Sequence, residues 1–162
     1  MPPVATRLTA LLAGLWAGLL LCIATIATPA PFATLATADA GRVVGRIFAV
    51  EAYVSLALAL VLFLLERAAA RRRASVGEGS AFSADLVLVL GALFCTVLGY
   101  FALQPMMAAA RVGQGRWSFG ALHAVSFALF GLKGLLVLAL AWRRTGAGWP
   151  PARHDVTPPP FA

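Results

Sequence analysis

The sequence has few of the residues that most enzymes use for catalysis. Its 162 residues include two histidines, two cysteines, one lysine and six acidic residues. Cys22 and Cys95 both lie inside apolar runs and form no CxxC pair, so no disulfide framework is expected outside a membrane. The chain also lacks a phosphate-binding loop, a GxSxG or HExxH motif and paired-histidine haem spacing. These absences argue against nucleophilic and ATP-driven chemistry.

What the chain has in abundance is apolar residues. They make up 61% of the sequence, and the mean hydropathy is +0.88, whereas soluble domains are about 45–50% apolar. The net charge of +7 comes almost entirely from arginine. The arginines flank the apolar runs, as in membrane proteins, and no basic stripe with stacking aromatics accompanies them. We therefore predict a membrane protein that contacts the lipid bilayer and binds no nucleic acid.

Four apolar runs are long enough to cross a bilayer, which requires about 20 helical residues. The predicted spans are 8–28, 43–65, 86–103 and 119–142. The first run is longer than the apolar core of a signal peptide, which favours a retained helix. The predicted fold class is an all-α membrane protein, a four-transmembrane-helix bundle. The bundle occupies residues 1–144, and residues 145–162 are predicted to be a disordered tail rich in Pro and Gly.

Prolines and charges mark where the spans should end. Pro29 and Pro31 are predicted to end the first span, and the pair Gln104-Pro105 the third, because proline removes a backbone donor and restricts its predecessor. The segment 66–83 is predicted to be a solvated loop. It carries four of the eight arginines on one side of the predicted bundle, against four on the other. This asymmetry predicts that both termini are cytoplasmic, and the Ala- and Arg-rich, Lys-poor composition suggests a bacterial inner membrane.

Small residues recur four positions apart in every predicted span. In lipid, helices associate through close backbone contact, which such residues permit. The glycines singled out for helix packing are Gly14, Gly18, Gly41, Gly45, Gly91, Gly99 and Gly120. They predict a compact bundle, and the same faces would equally suit a homo-oligomer or a membrane-protein partner.

Several polar residues are predicted to share the outer half of the bundle. They are Arg46, Glu51, Gln104, His123 and Ser126. Ionisable groups at membrane depth are costly unless paired, so they are functional candidates by default. At 1.5 Å per residue, Glu51 lies about 12 Å from the outer boundary. Together these residues predict a site for a small ligand or ion.

Glu51 is the most informative of these residues. Arg46 is five positions away, about 140° around a helix, so the two are poorly placed to pair. Arg46 is expected either to snorkel to the headgroups or to take part in binding. Glu51 is therefore expected to find a partner elsewhere or to hold a proton. Lys133, about 21 Å from the outer boundary, is expected to snorkel inward.

A metal or haem is a second possibility for the outer half. His123 has the chemistry of a haem or copper ligand, but a single histidine equally suits a hydrogen-bonded structural role. Met106 and Met107 offer soft sulfur to Cu(I), or serve only as apolar residues.

The chain also resembles a known family. The residues that carry the resemblance are Leu103-Gln104-Pro105 with Ala108, then Phe119 to Leu122, His123 and Ser126, together with Leu15-Trp16, Gly18, Pro29, Pro31-Phe32, Ala40-Gly41-Arg42 and Phe48. In order and spacing they resemble domain of unknown function 4149, the group related to eukaryotic transmembrane protein 205, from about Arg7 to Arg144.

The resemblance implies a four-helix membrane protein with no assigned activity. It also implies that Gln104, Pro105, His123 and Ser126 belong to the family motif. The eukaryotic relative is associated with platinum-drug resistance. The fold implied is similar to that of copper-resistance inner-membrane proteins and of a haem-dependent protoporphyrinogen oxidase. Because this chain has one histidine in its spans, bis-histidine ligation within one chain is excluded.

Four functional hypotheses remain open at this point. The leading one is an inner-membrane protein whose outer-half polar cluster binds a small ligand or ion, or locks the bundle. The second is a haem- or copper-handling protein with His123 as ligand. The third is a structural or assembly partner in a membrane complex, and the fourth is a proton-coupled transporter that uses Glu51.

Overall fold

The computed structural model describes residues 4–77 and 83–146. Within them the helices are α1 (Val4–Cys22), α2 (Pro29–Thr34), α3 (Thr37–Ser75), α4 (Ala84–Thr96), α5 (Leu103–Arg111) and α6 (Phe119–Gly146). Single π-helical segments, Ile23–Ala27 and Val97–Ala102, join α1 to α2 and α4 to α5. The result is four long helices, called here span 1 (Val4–Thr34), span 2 (Thr37–Ser75), span 3 (Ala84–Arg111) and span 4 (Phe119–Gly146).

All four spans are long and apolar enough to cross a membrane, so the predicted all-α, four-span architecture is confirmed. Large apolar side chains point outward from each span, among them Leu15, Leu60, Phe94 and Leu135. An apolar exterior of this size would be unfavourable in water and is expected for a surface that faces lipid. The chain is therefore a multi-pass membrane protein.

The spans extend beyond the predicted boundaries. Pro29 does not end the first helix, because it sits at the first position of α2, where no backbone N–H is needed. Pro105 is the third residue of α5, again within the first turn, so span 3 continues to Arg111. The prediction that these prolines end spans 1 and 3 is wrong.

Part of the predicted loop is also helical. Span 2 continues through residues 66–75 and ends at Ser75, where Gly77 adopts a φ of 76°. Glycine adopts this left-handed conformation readily after a helix end. Gly113, with a φ of 73°, has the same role after span 3. Span 4 includes Thr145 and Gly146, which were assigned to the tail, and the rest of the tail lies outside the described residues.

The main core draws on all four spans. Its eleven buried residues are Ala13, Trp16, Ala17, Leu20, Ala59, Leu62, Val89, Ala92, Val137, Leu140 and Ala141. A smaller cluster of Leu103, Met107 and Leu122 lies between spans 3 and 4. The large cluster is nearer the end of the bundle that holds Ser75, Ala84 and Gly146, called here the arginine-rich end. The small cluster is nearer the opposite end.

Two of the predicted packing glycines make close contacts between helices. A Cβ added to Gly91 would lie 3.0 Å from Leu136 Cδ1, and one added to Gly99 would lie 3.4 Å from Leu129 Cβ. Spans 3 and 4 therefore approach each other closely, in antiparallel register. At the other five predicted positions, Gly14, Gly18, Gly41, Gly45 and Gly120, no heavy atom of the described chain lies within 4 Å of an added Cβ. These five glycines therefore do not form close helix contacts within the single chain.

Candidate functional site

A charged pair lies inside the bundle, between the two apolar clusters. Lys133 Nζ of span 4 donates to Glu51 Oε1 of span 2 across 2.6 Å. Both residues are 3% exposed. Glu51 therefore finds its partner on another helix. The expectation that Lys133 snorkels towards the membrane interface is wrong, because its ammonium is turned into the bundle.

The depth of the two residues explains why they meet. Each lies fourteen residues after the first residue of its helix, Thr37 for Glu51 and Phe119 for Lys133. Spans 2 and 4 run in the same direction, so equal counts give equal depths of about 21 Å. The sequence-based estimate separated them because it began span 2 at Val43, six residues too late. The estimate did not include the more polar first turns of span 2, from Thr37 to Arg42.

Two further side chains extend the pair into a polar chain. Ser55, one turn after Glu51, donates its hydroxyl hydrogen to Glu51 Oε1. Trp16 of span 1 donates its indole N–H to Ser55 Oγ across 2.9 Å. Both Trp16 and Ser55 have no exposed surface. The chain Trp16–Ser55–Glu51–Lys133 thus joins spans 1, 2 and 4, and both of its bonds to the carboxylate fall on Oε1.

The neighbours of the pair are otherwise apolar. Phe130 lies beneath the ammonium, with its ring centroid 4.9 Å from Lys133 Nζ, and it contacts Phe48 edge to face. Span 3 contributes Cys95, which is buried and lies between the two close contacts that Gly91 and Gly99 make with span 4. Among the described residues, the titratable side chains that the neighbouring helices bring to the depth of Glu51 are therefore Lys133 of span 4 and Cys95 of span 3.

A second ionic cluster lies at the arginine-rich end. Arg144 pairs with Glu66 of span 2 and, across 2.6 Å, with Asp85 of span 3. Arg143 also pairs with Asp85, across 2.6 Å. Glu66 is 1% exposed, so its carboxylate depends on Arg144 for its charge balance. This cluster, called here the terminal clasp, connects spans 2, 3 and 4 at one level.

Sequence reasoning missed most of these contacts. Ser55 carried a usable signal, because a residue four positions after Glu51 lies on the same helix face. The sequence analysis places Glu66 in a loop and gives no role to Asp85 or to the pairing of Arg144. Their pairing needs the helix ends to be located to within one turn, which composition does not provide.

Comparison with known proteins identifies the family. The model of a family described as domain of unknown function (DUF4149) matches residues 11–116, which is more than half of the chain. This chain belongs to the DUF4149 family. No match was found among the curated proteins or among the solved structures. The matched range of this DUF4149 protein includes Trp16, Glu51 and Ser55, and their partner Lys133 lies beyond it in span 4.

The remaining predicted site residues of the DUF4149 protein lie nearer the opposite end. His123 is exposed and stacks on Phe119 with 5.6 Å between ring centroids. Ser126 donates to the Gly99 carbonyl across 3.4 Å. Arg46 is exposed and Gln104 half-buried. In the part of the chain that the structure describes, no hydrogen bond joins any of these four residues to Glu51, so their binding roles stay predictions.

The haem or copper hypothesis for His123 depends on which metal-binding side chains lie near it. Within residues 4–77 and 83–146, no three His, Cys, Asp or Glu side chains come together in a way that could hold a metal ion. Met107 packs in the small apolar cluster with Leu103 and Leu122, whereas its neighbour Met106 is 41% exposed. The two sulfurs therefore lie on different faces of α5.

An apolar groove runs along the lipid-facing side of this DUF4149 bundle, between spans 1 and 4. Its volume is about 220 Å³. The residues that line it are Ala17, Leu20, Leu21, Ala24, Phe127, Phe130, Gly131, Gly134, Leu135 and Leu138. Phe130 belongs both to this groove and to the surroundings of Lys133. The ring of Phe130 is thus next to both the groove and the ammonium of Lys133.

Proposed function

We propose that this protein binds an ion at Glu51 inside the membrane, and that the ion is a proton. The observation that carries the proposal is the Glu51–Lys133 pair, two charged side chains 2.6 Å apart near the middle of their spans and 3% exposed each. A carboxylate at this depth has to be paired or protonated, because an isolated charge in the bilayer centre costs several kcal/mol. Pairing and protonation are therefore alternative states of the same group.

The energetics of the pair favour a role beyond stability. Replacing a buried ion pair by well-packed apolar residues is often neutral or stabilising by about 1–4 kcal/mol. Stability alone therefore gives little reason to place a lysine and a glutamate among leucines and alanines. A carboxyl group that alternates between pairing with lysine and binding a proton would explain why both charged residues are present. Ser55 and Trp16 would hold Glu51 in one place in both states, because Ser55 can hydrogen-bond to either form of the carboxyl group.

Infrared difference spectroscopy of the full chain in lipid nanodiscs tests this directly. As the pH is lowered, we expect a carbonyl band of a protonated carboxylic acid to grow in the wild type and to be absent in Glu51→Gln. Asp39→Asn is the matched control, because Asp39 is a half-exposed carboxylate paired with Arg42 on the same helix. Its variant should retain the Glu51 band. Identical spectra for wild type and Glu51→Gln over the whole pH range would overturn the proposal.

A second candidate function is assembly with another membrane helix. The observation that favours it is the open space at Gly14 and Gly18 of span 1, where an added Cβ would meet no atom of the described chain within 4 Å. Glycines that are not used within the bundle leave room for a close helix contact with a second chain. Native mass measurement of Gly14→Leu and Gly18→Leu should then show loss of a homo-oligomer or a co-purifying partner. An unchanged mass would reject this candidate.

We also propose a location and an orientation. The arginine-rich end, with Arg71, Arg72, Arg73 and Arg143, is placed on the cytoplasmic side of a bacterial inner membrane, following the positive-inside rule. Reporter fusions after Val76 and after Val112 should give cytoplasmic and periplasmic signals respectively. The reverse pattern would show that the bundle has the opposite orientation in the membrane.

A further inference from the structure

We infer that the ligand of the Glu51–Lys133 pair is a carboxylic acid with an apolar body, which enters from the lipid through the groove between spans 1 and 4. The inference rests on the proposed proton binding at Glu51 and names the substrate class of that site. It follows from charge balance at the pair, from the lining of the groove and from the position of Phe130 between them.

Charge balance sets the first requirement. The pair is neutral as a whole, with one negative and one positive group. Adding a proton to Glu51 alone leaves a buried ammonium without its counter-ion, so in the absence of a ligand Glu51 takes up its proton only when the pH is lowered. The cost of protonating Glu51 is avoided if an anion arrives with the proton and pairs with the Lys133 ammonium instead of the Glu51 carboxylate. The site therefore favours a ligand that brings one proton and one negative charge together.

The route sets the second requirement. The groove is open to lipid and lined by apolar residues, with Ala17, Leu20 and Leu21 on span 1 and Phe130, Gly131 and Gly134 on span 4. An inorganic anion would lose its hydration along such a lining without compensation. A protonated carboxylic acid is neutral, dissolves in lipid and carries the proton and the incipient anion in one molecule. Its apolar body matches the apolar lining of the groove.

Phe130 connects the groove to the pair. Its ring lines the groove on one side and lies 4.9 Å from Lys133 Nζ on the other. Gly131 and Gly134 follow it on the groove face, with no atom within 4 Å of an added Cβ. These open positions leave room for a ligand beside the ring, and in the proposed binding step a rotation of Phe130 brings the ligand carboxyl group within reach of the ammonium.

The proposed step is a balanced proton exchange between two carboxyl groups. The O–H bond of the ligand acid breaks, and its proton forms an O–H bond with Glu51. The ligand carboxylate then accepts hydrogen bonds from Lys133 Nζ, which has three donors, while Ser55 remains bonded to the Glu51 carboxyl group. No atom changes its oxidation state, and no further reactant is required. Because donor and acceptor are both carboxyl groups, the exchange is close to balanced in free energy.

Binding of octanoic acid to the full chain in nanodiscs tests the inference, with 1-octanol as the ligand control. We expect octanoic acid to produce the Glu51 carboxylic band at a pH where the ligand-free protein lacks it, and octanol to produce none. Gly131→Leu, which places a side chain in the groove, should weaken octanoic acid binding by about tenfold or more, equivalent to at least about 1.4 kcal/mol. Gly120→Leu is the matched control, since Gly120 lies on the same helix outside the groove and also has open space around it.

The outcomes separate this inference from the proposed function. If Glu51 gains a proton on acidification but octanoic acid changes neither the band nor the midpoint of its titration, the carboxylic-acid ligand is rejected and proton binding stands. If no Glu51 band appears under any condition, both fail. Equal weakening by Gly131→Leu and Gly120→Leu would reject the groove as the route. Lys133→Gln should lose octanoic acid binding, and if this variant does not fold, the two glycine variants still decide.

Discussion

Lys133 Nζ lies 2.6 Å from Glu51 Oε1, although the two residues are 82 positions apart in the sequence. The bond joins the second and fourth spans at equal distances from the starts of their helices. It sets a single relative register for two helices that run in the same direction. Several expected properties of the protein depend on this bond and on the chain that supports it.

Removing one member of the pair should cost more than removing both. Lys133→Met leaves a buried carboxylate and is expected to lower the free energy of unfolding by about 3–5 kcal/mol. The double variant Lys133→Met with Glu51→Gln should recover most of that loss, because no charge remains. Thermal unfolding in mild detergent, followed by circular dichroism, measures both. Additive losses in the double variant would mean that the two residues do not interact.

Ser55→Ala should destabilise the bundle by about 1–3 kcal/mol, because the buried Trp16 indole N–H loses its acceptor and Glu51 loses a donor. Ser126→Ala is the matched control. Its hydroxyl is half-buried and makes a longer bond, 3.4 Å, to the Gly99 carbonyl, so its loss should be smaller. Trp16 fluorescence adds a local readout, and we expect its emission to change in Ser55→Ala alone. Equal effects of the two variants would contradict the polar chain.

Arg144→Gln should destabilise the bundle by about 3–5 kcal/mol, because the buried Glu66 loses the guanidinium that neutralises it, whereas Asp85 keeps Arg143. The comparison is Arg42→Gln, which breaks the exposed pair with Asp39 and should cost about 0–1 kcal/mol. Chemical denaturation of both variants in detergent gives the difference. A loss for Arg144→Gln as small as that for Arg42→Gln would show that the terminal clasp contributes little.

Gly99→Leu should disrupt the contact between spans 3 and 4, because an added Cβ already lies 3.4 Å from Leu129 Cβ. Overpacking of this kind costs about 1–3 kcal/mol. Gly45→Leu, at a position with no atom within 4 Å of an added Cβ, should leave the unfolding temperature of the monomer nearly unchanged. The reverse order of the two effects would mean that the helices pack through other faces.

The contrast between the glycines shows where sequence patterns were informative. Small residues at four-residue spacing predicted a packing face on every span. The structure uses Gly91 and Gly99 for this purpose, against Leu136 and Leu129, and leaves Gly14 open. Spacing identifies a possible face, but whether a neighbouring helix covers that face depends on how the four helices are arranged around one another.

The polar residues show the same limit more sharply. Glu51 was expected to find a partner elsewhere or to hold a proton, since its neighbour Arg46 lies on a different face. That expectation followed from the cost of an unpaired charge in lipid, which left either a partner or a proton, and the structure shows a partner. The identity of the partner did not follow, because an error of six residues in the start of span 2 shifts the estimated depth by about 9 Å. That shift is large enough to separate Glu51 from Lys133.

The sequence by itself determined the number of spans, their apolar exteriors and the family, because bilayer thickness and the cost of exposed polar groups act on each segment independently. The tertiary structure decided which charges meet. The pairings of Glu51 with Lys133 and of Glu66 with Arg144 depend on the exact helix starts, on the rotation of each helix about its axis and on the order of helices around the bundle. These quantities are shared among the four spans, so no single segment of the sequence contains them.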